Sequence, residues 1–254
     1  MRTILQAGLL ALACLVTAAP ARAEQALVAV AANFTDTARA LQTRFEQAGE
    51  HRLILTSGST GRLYAQIRHG APFDVILAAD AETPARLEAE GRAIAGTRIT
   101  YAIGRLALWS TGRPDPAETL ETRLRQGHYR NIAIANPALA PYGAAGRATL
   151  EATGLWEEAQ GRLVTGESIA AVQAMLATGN ADLGFVPVSQ FTGSDLPDAV
   201  QYWEVPPDLY PPIRQDAVLT VHGDNNAAAR AWLDFLASEA AREIIRAHGY
   251  EVAP

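Results

Sequence analysis

The sequence predicts an α/β fold of two lobes, each a largely parallel sheet flanked by helices, joined by a two-stranded hinge. Three observations predict it. Apolar runs of strand length alternate with helical stretches from residue 27 onward. The alternation pauses at a long extended segment, residues 100–109, and then restarts. A second long strand, residues 216–221, precedes two terminal helices, so the chain returns to the half it started in.

In the first half, a strand over 27–31 is followed by a helix over 37–47. Leu53-Ile54-Leu55 starts a strand that breaks at Thr56-Ser57-Gly58-Ser59-Thr60-Gly61 and leads into a helix over 62–68. Asp74-Val75-Ile76-Leu77-Ala78-Ala79 reads as a strand, and Thr83-Pro84 opens a helix to 90, with proline suited to a first turn. The extended segment 100–109 is interrupted at Gly104-Arg105. Beyond it come a helix over 118–125, a strand over 131–135, a loop through Pro141-Tyr142-Gly143 and a helix ending near Thr153-Gly154. A strand at 163–165, a helix over 169–177 and a strand over 183–186 complete the second half. Pro206-Pro207 and Pro211-Pro212 stiffen the loop before the return strand, and helices over 226–236 and 239–247 close the chain. The expected lobes are 24–104 with 213–254, and 105–212.

Four strand-like runs end in loops of small, hydroxyl or amide residues that each open a helix: Ala32-Asn33-Phe34-Thr35, residues 56–61, residues 136–143, and Gly166-Glu167-Ser168-Ile169. A helix N-terminus carries unpaired N–H groups and a partial positive charge, so it holds an anion without a cationic side chain. One Gly-Ser-Thr-Gly is more often an ordinary helix cap than a site. Four such loops in one chain point to an anion receptor built from neutral donors. In parallel sheets, ligands bind beyond the carboxyl ends of the strands, where these loops fall.

The N-terminus has the form of a secretory signal: Arg2, an apolar run over 4–16, and Ala21-Arg22-Ala23 as a small-x-small cleavage site. The apolar run is too short to span a bilayer. Cleavage after Ala23 is expected, although Ala11-Leu12-Ala13-Cys14 faintly resembles a lipoprotein site. Cys14 is the only cysteine, so the mature chain has no disulfide, thiolate metal site or cysteine nucleophile. A leader without a cysteine framework points to a bacterial periplasm. The formal net charge is −6, every positive side chain is arginine, and no basic cluster occurs. Such a chain is poorly suited to nucleic acid or an anionic membrane surface.

Other chemistry is unsignalled. The histidines at 51, 69, 128, 222 and 248 show no metal-ligand spacing, and no direct cation ligands are expected. No Gly-x-Ser-x-Gly elbow surrounds a serine, and the lack of lysine removes both the Walker A loop and Ser-x-x-Lys chemistry. A secreted hydrolase using Ser59 or Thr60 would need a base brought from far away in sequence. A ligand-free scaffold is the third class. Trp109, Trp156, Trp203 and Trp232 read as packing residues.

An ordered set of segments carries a family resemblance. They are Val28-Ala29-Val30-Ala31-Ala32-Asn33-Phe34, Ser57-Gly58-Ser59-Thr60-Gly61, Tyr64-Ala65-Gln66-Ile67, and Gly70-Ala71-Pro72-Phe73-Asp74-Val75 with Ala79-Asp80. Ala135-Asn136-Pro137 with Ala140-Pro141-Tyr142-Gly143, Ala181-Asp182-Leu183-Gly184-Phe185-Val186 and Ala247-His248-Gly249-Tyr250 follow. Together they resemble the periplasmic molybdate-binding proteins of ATP-driven transporters. The resemblance implies a two-lobed type II periplasmic binding protein fold and no catalytic activity or cofactor. It implies molybdate or tungstate held between the lobes by hydroxyl and N–H donors, with sulfate the main alternative ligand. By position it assigns Asn33, Thr60 with Ser59 beside it, Tyr142, Ile169 through its N–H, and Ala32 through its backbone alone. Some relatives place a binding tyrosine where this chain has Pro187, which cannot donate, so Tyr142 is expected to supply that hydroxyl. A membrane permease with its ATPase is the implied partner, and a monomer is expected.

Overall fold

A computed structural model describes residues 23–110, 118–192 and 201–252. The leader reading falls on residues 1–23, nearly all of them outside the described residues. Ten strands and nine α-helices are present among the described residues: β1 (Gln25–Ala31), α1 (Thr35–Ala48), β2 (Arg52–Gly58), α2 (Thr60–Arg68), β3 (Val75–Leu77), α3 (Glu82–Ala89), β4 (Ile99–Gly104), β5 (Leu106–Ser110), α4 (Leu120–Arg125), β6 (Ile132–Ala135), α5 (Pro141–Ala152), α6 (Trp156–Gln160), β7 (Leu163–Gly166), α7 (Ile169–Ala177), β8 (Leu183–Pro187), β9 (Gln201–Glu204), β10 (Ile213–Leu219), α8 (Ala227–Leu236) and α9 (Glu239–Ala247). A 3-10 turn, Ala32–Phe34, joins β1 to α1.

The strands form two five-stranded sheets, ordered β2-β1-β3-β10-β4 and β7-β6-β8-β5-β9. These orders are the same topology written twice. β1 pairs parallel with β2 and β3, and β6 pairs parallel with β7 and β8. β10 runs antiparallel to β3 and β4, and β5 runs antiparallel to β8 and β9. Each sheet is therefore mixed rather than largely parallel in its pairings, because the strand that has just crossed from the other lobe enters against the direction of its neighbours. The chain crosses between lobes at Gly104-Arg105-Leu106 and again between β9 and β10.

The strand compositions follow from these positions. Ala26, Val28, Ala29 and Val30 of β1 are fully buried, and β1 lies between β2 and β3 with both faces covered. One core gathers Leu41, Phe45, Trp232, Leu233 and Ile245 against one face of this sheet, and another gathers Leu63, Ile67, Phe73 and Leu87 on the other. The second lobe closes around Ile132, Ile134, Phe185, Leu150 and Leu176.

Several boundaries differ from the sequence expectation. β2 continues to Gly58 and α2 starts at Thr60, so the expected six-residue loop shrinks to Ser59 alone. The register explains it: Ala29, Val30 and Ala31 pair with Thr56, Ser57 and Gly58, extending the ladder through residues that look like a loop. α5 starts at Pro141, which places Tyr142 in a helical first turn rather than a loop. β9 and α6 were not expected, and both are short and lack a strong apolar period.

Candidate functional site

The four hydroxyl-and-amide loops converge. Ala31, Ala32 and Asn33 after β1, Ser59 and Thr60 after β2, and Ala79 after β3 meet Ala140, Pro141 and Tyr142 after β6 and Ile169 after β7 around one recess between the lobes. Its empty space is about 210 Å³ counted to the solvent mouth. All six residues assigned from sequence line it. The sequence reading missed Ala31, Ala79, Ala140 and Pro141, whose side chains carry no polar signal and which shape the recess as small walls.

Helix starts make the recess rich in N–H groups. The 3-10 turn, α2 and α5 have no side-chain cap at Ala31, Ser59 and Ala140. By contrast α4, α8 and α9, away from the recess, are capped by Thr119, Asn226 and Ser238. The outer helix α6 is also uncapped, so an uncapped start alone does not mark the site, whereas in α3 the Thr83 N–H donates to Asp80 Oδ1 at 2.7 Å. α7 is capped by Ser168, whose hydroxyl accepts from the Ala171 N–H, a bond that does not involve the N–H of Ile169.

The side chains are held in defined roles. Thr60 is buried, and its Oγ1 accepts from the Ala79 N–H at 3.0 Å, which leaves the hydroxyl proton to be donated elsewhere. Tyr142 is buried, and its hydroxyl accepts from Gln215 Nε2 at 3.4 Å. Burial, reinforced by the neighbouring Tyr250, Tyr101 and Tyr210, pushes the Tyr142 hydroxyl well above its ordinary pKa and keeps it protonated. The Asn33 side chain is engaged within the protein. Its Nδ2 donates to Gln215 Oε1 at 2.8 Å and to the Tyr250 hydroxyl at 3.3 Å, so the amide anchors its loop. Phe34 fixes the same turn by edge-to-face contacts with Tyr101 and Tyr250 at centroid distances of 4.7 and 5.1 Å. Such contacts are worth about 0.5–1.5 kcal/mol each beyond area burial.

Pro187 sits at the end of β8, paired with Leu106, and is not among the residues around the recess. Tyr142 reaches the recess from α5 instead. Gly143 lets α5 start this close to the sheet, since a Cβ there would lie 2.0 Å from the Ala135 carbonyl oxygen.

Among the described residues, no histidine, carboxylate or arginine lines the recess. Among the described residues, no group of three or more His, Cys, Asp or Glu side chains is placed to hold a metal cation. His222 pairs with buried Asp74 at 2.9 Å and His128 with Glu118 at 2.7 Å, neither of them at the recess. The lobes touch at its rim: the Gly61 N–H donates to the Leu139 carbonyl at 2.9 Å, and Arg62 pairs with Glu167 at 3.3 Å.

The bacterial extracellular solute-binding protein family matches residues 26–251. The molybdate-binding protein ModA of Azotobacter vinelandii is 46% identical over 246 residues, covering 97% of this chain and 94% of that protein. ModA of Rhodobacter capsulatus is 44% identical over 248 residues, with 97% and 96% covered. Among solved structures, the periplasmic molybdate-binding protein of Azotobacter vinelandii superposes with a TM-score of 0.85 at 37% identity, covering 90% of this chain and all of that one. The sulfate-binding protein SubI of Mycobacterium tuberculosis shares the fold at a TM-score of 0.73 and 14% identity, covering 91% of this chain and 87% of that one. Two sheets of one repeated topology, a shared recess and these likenesses agree: the chain belongs to the bacterial extracellular solute-binding proteins, within the group of the periplasmic molybdate-binding proteins.

Proposed function

We propose that this protein is a periplasmic receptor that captures molybdate or tungstate between its lobes and delivers it to an ABC importer. The observation that carries the reading is the recess itself. Donors from both lobes surround it, the polar side chains that line it are neutral, and four helix or 3-10 starts open onto it. A tetrahedral dianion is the ligand such a site suits, because N–H and O–H groups surround it without leaving a fixed counter-charge. Hydrogen bonds to a charged group contribute about 1.5–3 kcal/mol each, so a handful reaches micromolar affinity or better after the costs of association.

The donors in this reading are the hydroxyls of Thr60 and Tyr142 and the backbone N–H groups of Ala32, Asn33, Thr60 and Ile169, with Ser59 beside them. Because they come from both lobes, the ligand favours the closed arrangement through its differential affinity. The closed form is then what the membrane permease with its ATPase engages. The rest of the reading is a monomer, exported by a leader cleaved after Ala23, with lobes 24–104 plus 213–254 and 105–212.

The receptor is non-enzymatic in this reading. Among the described residues, no hydrogen bond joins Ser59 or Thr60 to a histidine or carboxylate, and the Thr60 hydroxyl oxygen is occupied by a backbone N–H. A hydrolase nucleophile would lack its base. Isothermal titration calorimetry on the mature protein tests the proposal. Tight one-to-one binding of molybdate and tungstate is expected; no heat with either, or tighter binding of sulfate, overturns it.

A further inference from the structure

Resting on the oxyanion reading above, we propose that Gln215 is the positioning residue that locks the two halves of the site together. Its carboxamide oxygen holds the Asn33 loop of one lobe, and its nitrogen holds the Tyr142 hydroxyl of the other.

Gln215 lies in β10, the strand that has just re-entered the first lobe, and is fully buried. Its Oε1 accepts from Asn33 Nδ2 at 2.8 Å and from the Tyr101 hydroxyl at 3.3 Å. Its Nε2 donates to the Tyr142 hydroxyl at 3.4 Å. Donor and acceptor ends thus face opposite lobes. A flipped amide would set NH₂ against NH₂ at Asn33, so the neighbours fix the orientation. The β10–β4 register shifts between Gln215 and Asp216, a bulge of the kind that re-aims a side chain. Asp216 is tied to Thr100 and Arg98 at 2.7 and 3.0 Å.

Gly104 of β4 supports the same contact. A Cβ there would lie 2.1 Å from the Tyr142 hydroxyl and 2.9 Å from Gln215 Nε2. The space that every other amino acid would fill is occupied by the bond between them. Tyr250 adds a second bridge: its hydroxyl donates to the Asn33 carbonyl at 2.7 Å and accepts from Ser189, which follows β8 of the other lobe, at 3.1 Å.

Two consequences follow. With its oxygen accepting from Gln215, the Tyr142 hydroxyl presents its proton to the recess. Moving α5 away from β10 breaks this bond, so Gln215 also favours closure.

The titratable groups around Gln215 are Tyr101, Tyr142 and Tyr250, with Asp80 and Asp216 acting on Tyr101. The test compares Gln215→Leu and Gln215→Glu with wild type by molybdate calorimetry from about pH 8 to about pH 5.5, with circular dichroism confirming the fold. Gln215→Leu is expected to bind at least about tenfold more weakly. Full burial at this position favours the protonated form of a carboxyl, so Gln215→Glu is expected to bind within a few-fold of wild type at the acid end, where that carboxyl both accepts from Asn33 and donates to Tyr142. A Gln215→Leu protein that binds within about twofold of wild type overturns the proposal. So does a folded Gln215→Glu protein that stays as weak as the leucine variant throughout. If wild type itself binds no molybdate, the receptor reading falls first, and closure measured by small-angle scattering then tests the lock: a Gln215→Leu protein as compact as wild type overturns it, and a more open one supports it.

Discussion

The Gly61 N–H, in the first turn of α2, donates to the Leu139 carbonyl at 2.9 Å across the two lobes. A Cβ on Gly61 would lie 3.1 Å from the Leu139 Cα and 3.3 Å from its carbonyl oxygen. Backbone therefore meets backbone at the rim of the recess, with only a hydrogen on one side. The neighbouring Arg62–Glu167 pair is largely exposed, and pairs of that kind contribute about 0–1 kcal/mol. Closure at this rim depends on shape more than on charge.

A wedge at Gly61 is the direct check. Gly61→Val adds branched bulk facing main chain that cannot step aside, so the lobes must stand farther apart. Each lobe keeps its own core, and the melting temperature of the unliganded protein should change little. Molybdate affinity should fall by about tenfold or more, while Arg62→Ala should lower it less than about fivefold. Calorimetry on both variants measures the contrast, and equal effects would show that charge closes the rim.

Thr60 and Tyr142 test the donors. Thr60→Ala removes a hydroxyl whose oxygen is held by Ala79, and Tyr142→Phe removes one held by Gln215. Each should weaken molybdate binding by about 1.5–3 kcal/mol, roughly ten- to a hundredfold. Ile169→Ala is a poor control for a backbone donor here, because Ile169 is buried in the core of its lobe. Truncation there would cost about 2–5 kcal/mol of stability. Ile169→Val keeps the N–H at less disturbance and should bind within a few-fold of wild type.

Much of this architecture is legible in the sequence because the strands are apolar runs and the ligand loops recur. The register of β1 against β2 is not, since Thr56-Ser57-Gly58 looks like a loop until Ala29 to Ala31 are seen to pair with it. The lining of the recess was legible where a polar residue follows a strand, as at Asn33, Thr60 and Tyr142. Ala79 carries no such mark, yet its N–H orients the Thr60 hydroxyl. Gln215 sits in a strand far from any ligand loop in sequence, and only β10 passing between β3 and β4 brings it beside Asn33 and Tyr142.

The pH profile follows from which groups titrate. Among the described residues no histidine or carboxylate lines the recess, so affinity should be flat from about pH 6 to about pH 9. Burial pushes the Tyr250 hydroxyl up to about 12 and raises Tyr142 and Tyr101 well above their ordinary range. A raised folded-state pKa means the stability these hydroxyls contribute is complete below about pH 10. It is lost as pH rises through the folded-state values, about 12 for Tyr250. Binding and melting temperature should therefore hold through neutral pH and fall together only in strong alkali. A midpoint near pH 6.5 would instead assign a histidine to the site.

Discrimination among oxyanions follows from where the acceptors are used. The Thr60 oxygen accepts from Ala79, the Tyr142 oxygen accepts from Gln215, and among the described residues no carboxylate faces the recess. With one accepted bond already on each oxygen, Thr60 and Tyr142 face a ligand first as donors, and Ser59 is the remaining hydroxyl around the recess. Molybdate, tungstate and sulfate are fully deprotonated dianions at neutral pH, whereas hydrogen phosphate brings an O–H that needs an acceptor. Burying that O–H unpaired costs about 1–3 kcal/mol, on top of the site donor it fails to satisfy. Phosphate should therefore bind at least about tenfold, and up to a few hundredfold, more weakly than sulfate, which it resembles in size. A thermal-shift series with all four anions reads this directly. At 100 times the dissociation constant, a ligand stabilises the fold by about 2.7 kcal/mol. Phosphate at the concentration that gives sulfate this effect should stabilise by no more than about 1.4 kcal/mol, half the sulfate effect, when it binds tenfold more weakly, and by less as the ratio grows. A phosphate shift equal to that of sulfate would require an acceptor in the recess that Thr60 and Tyr142 do not provide.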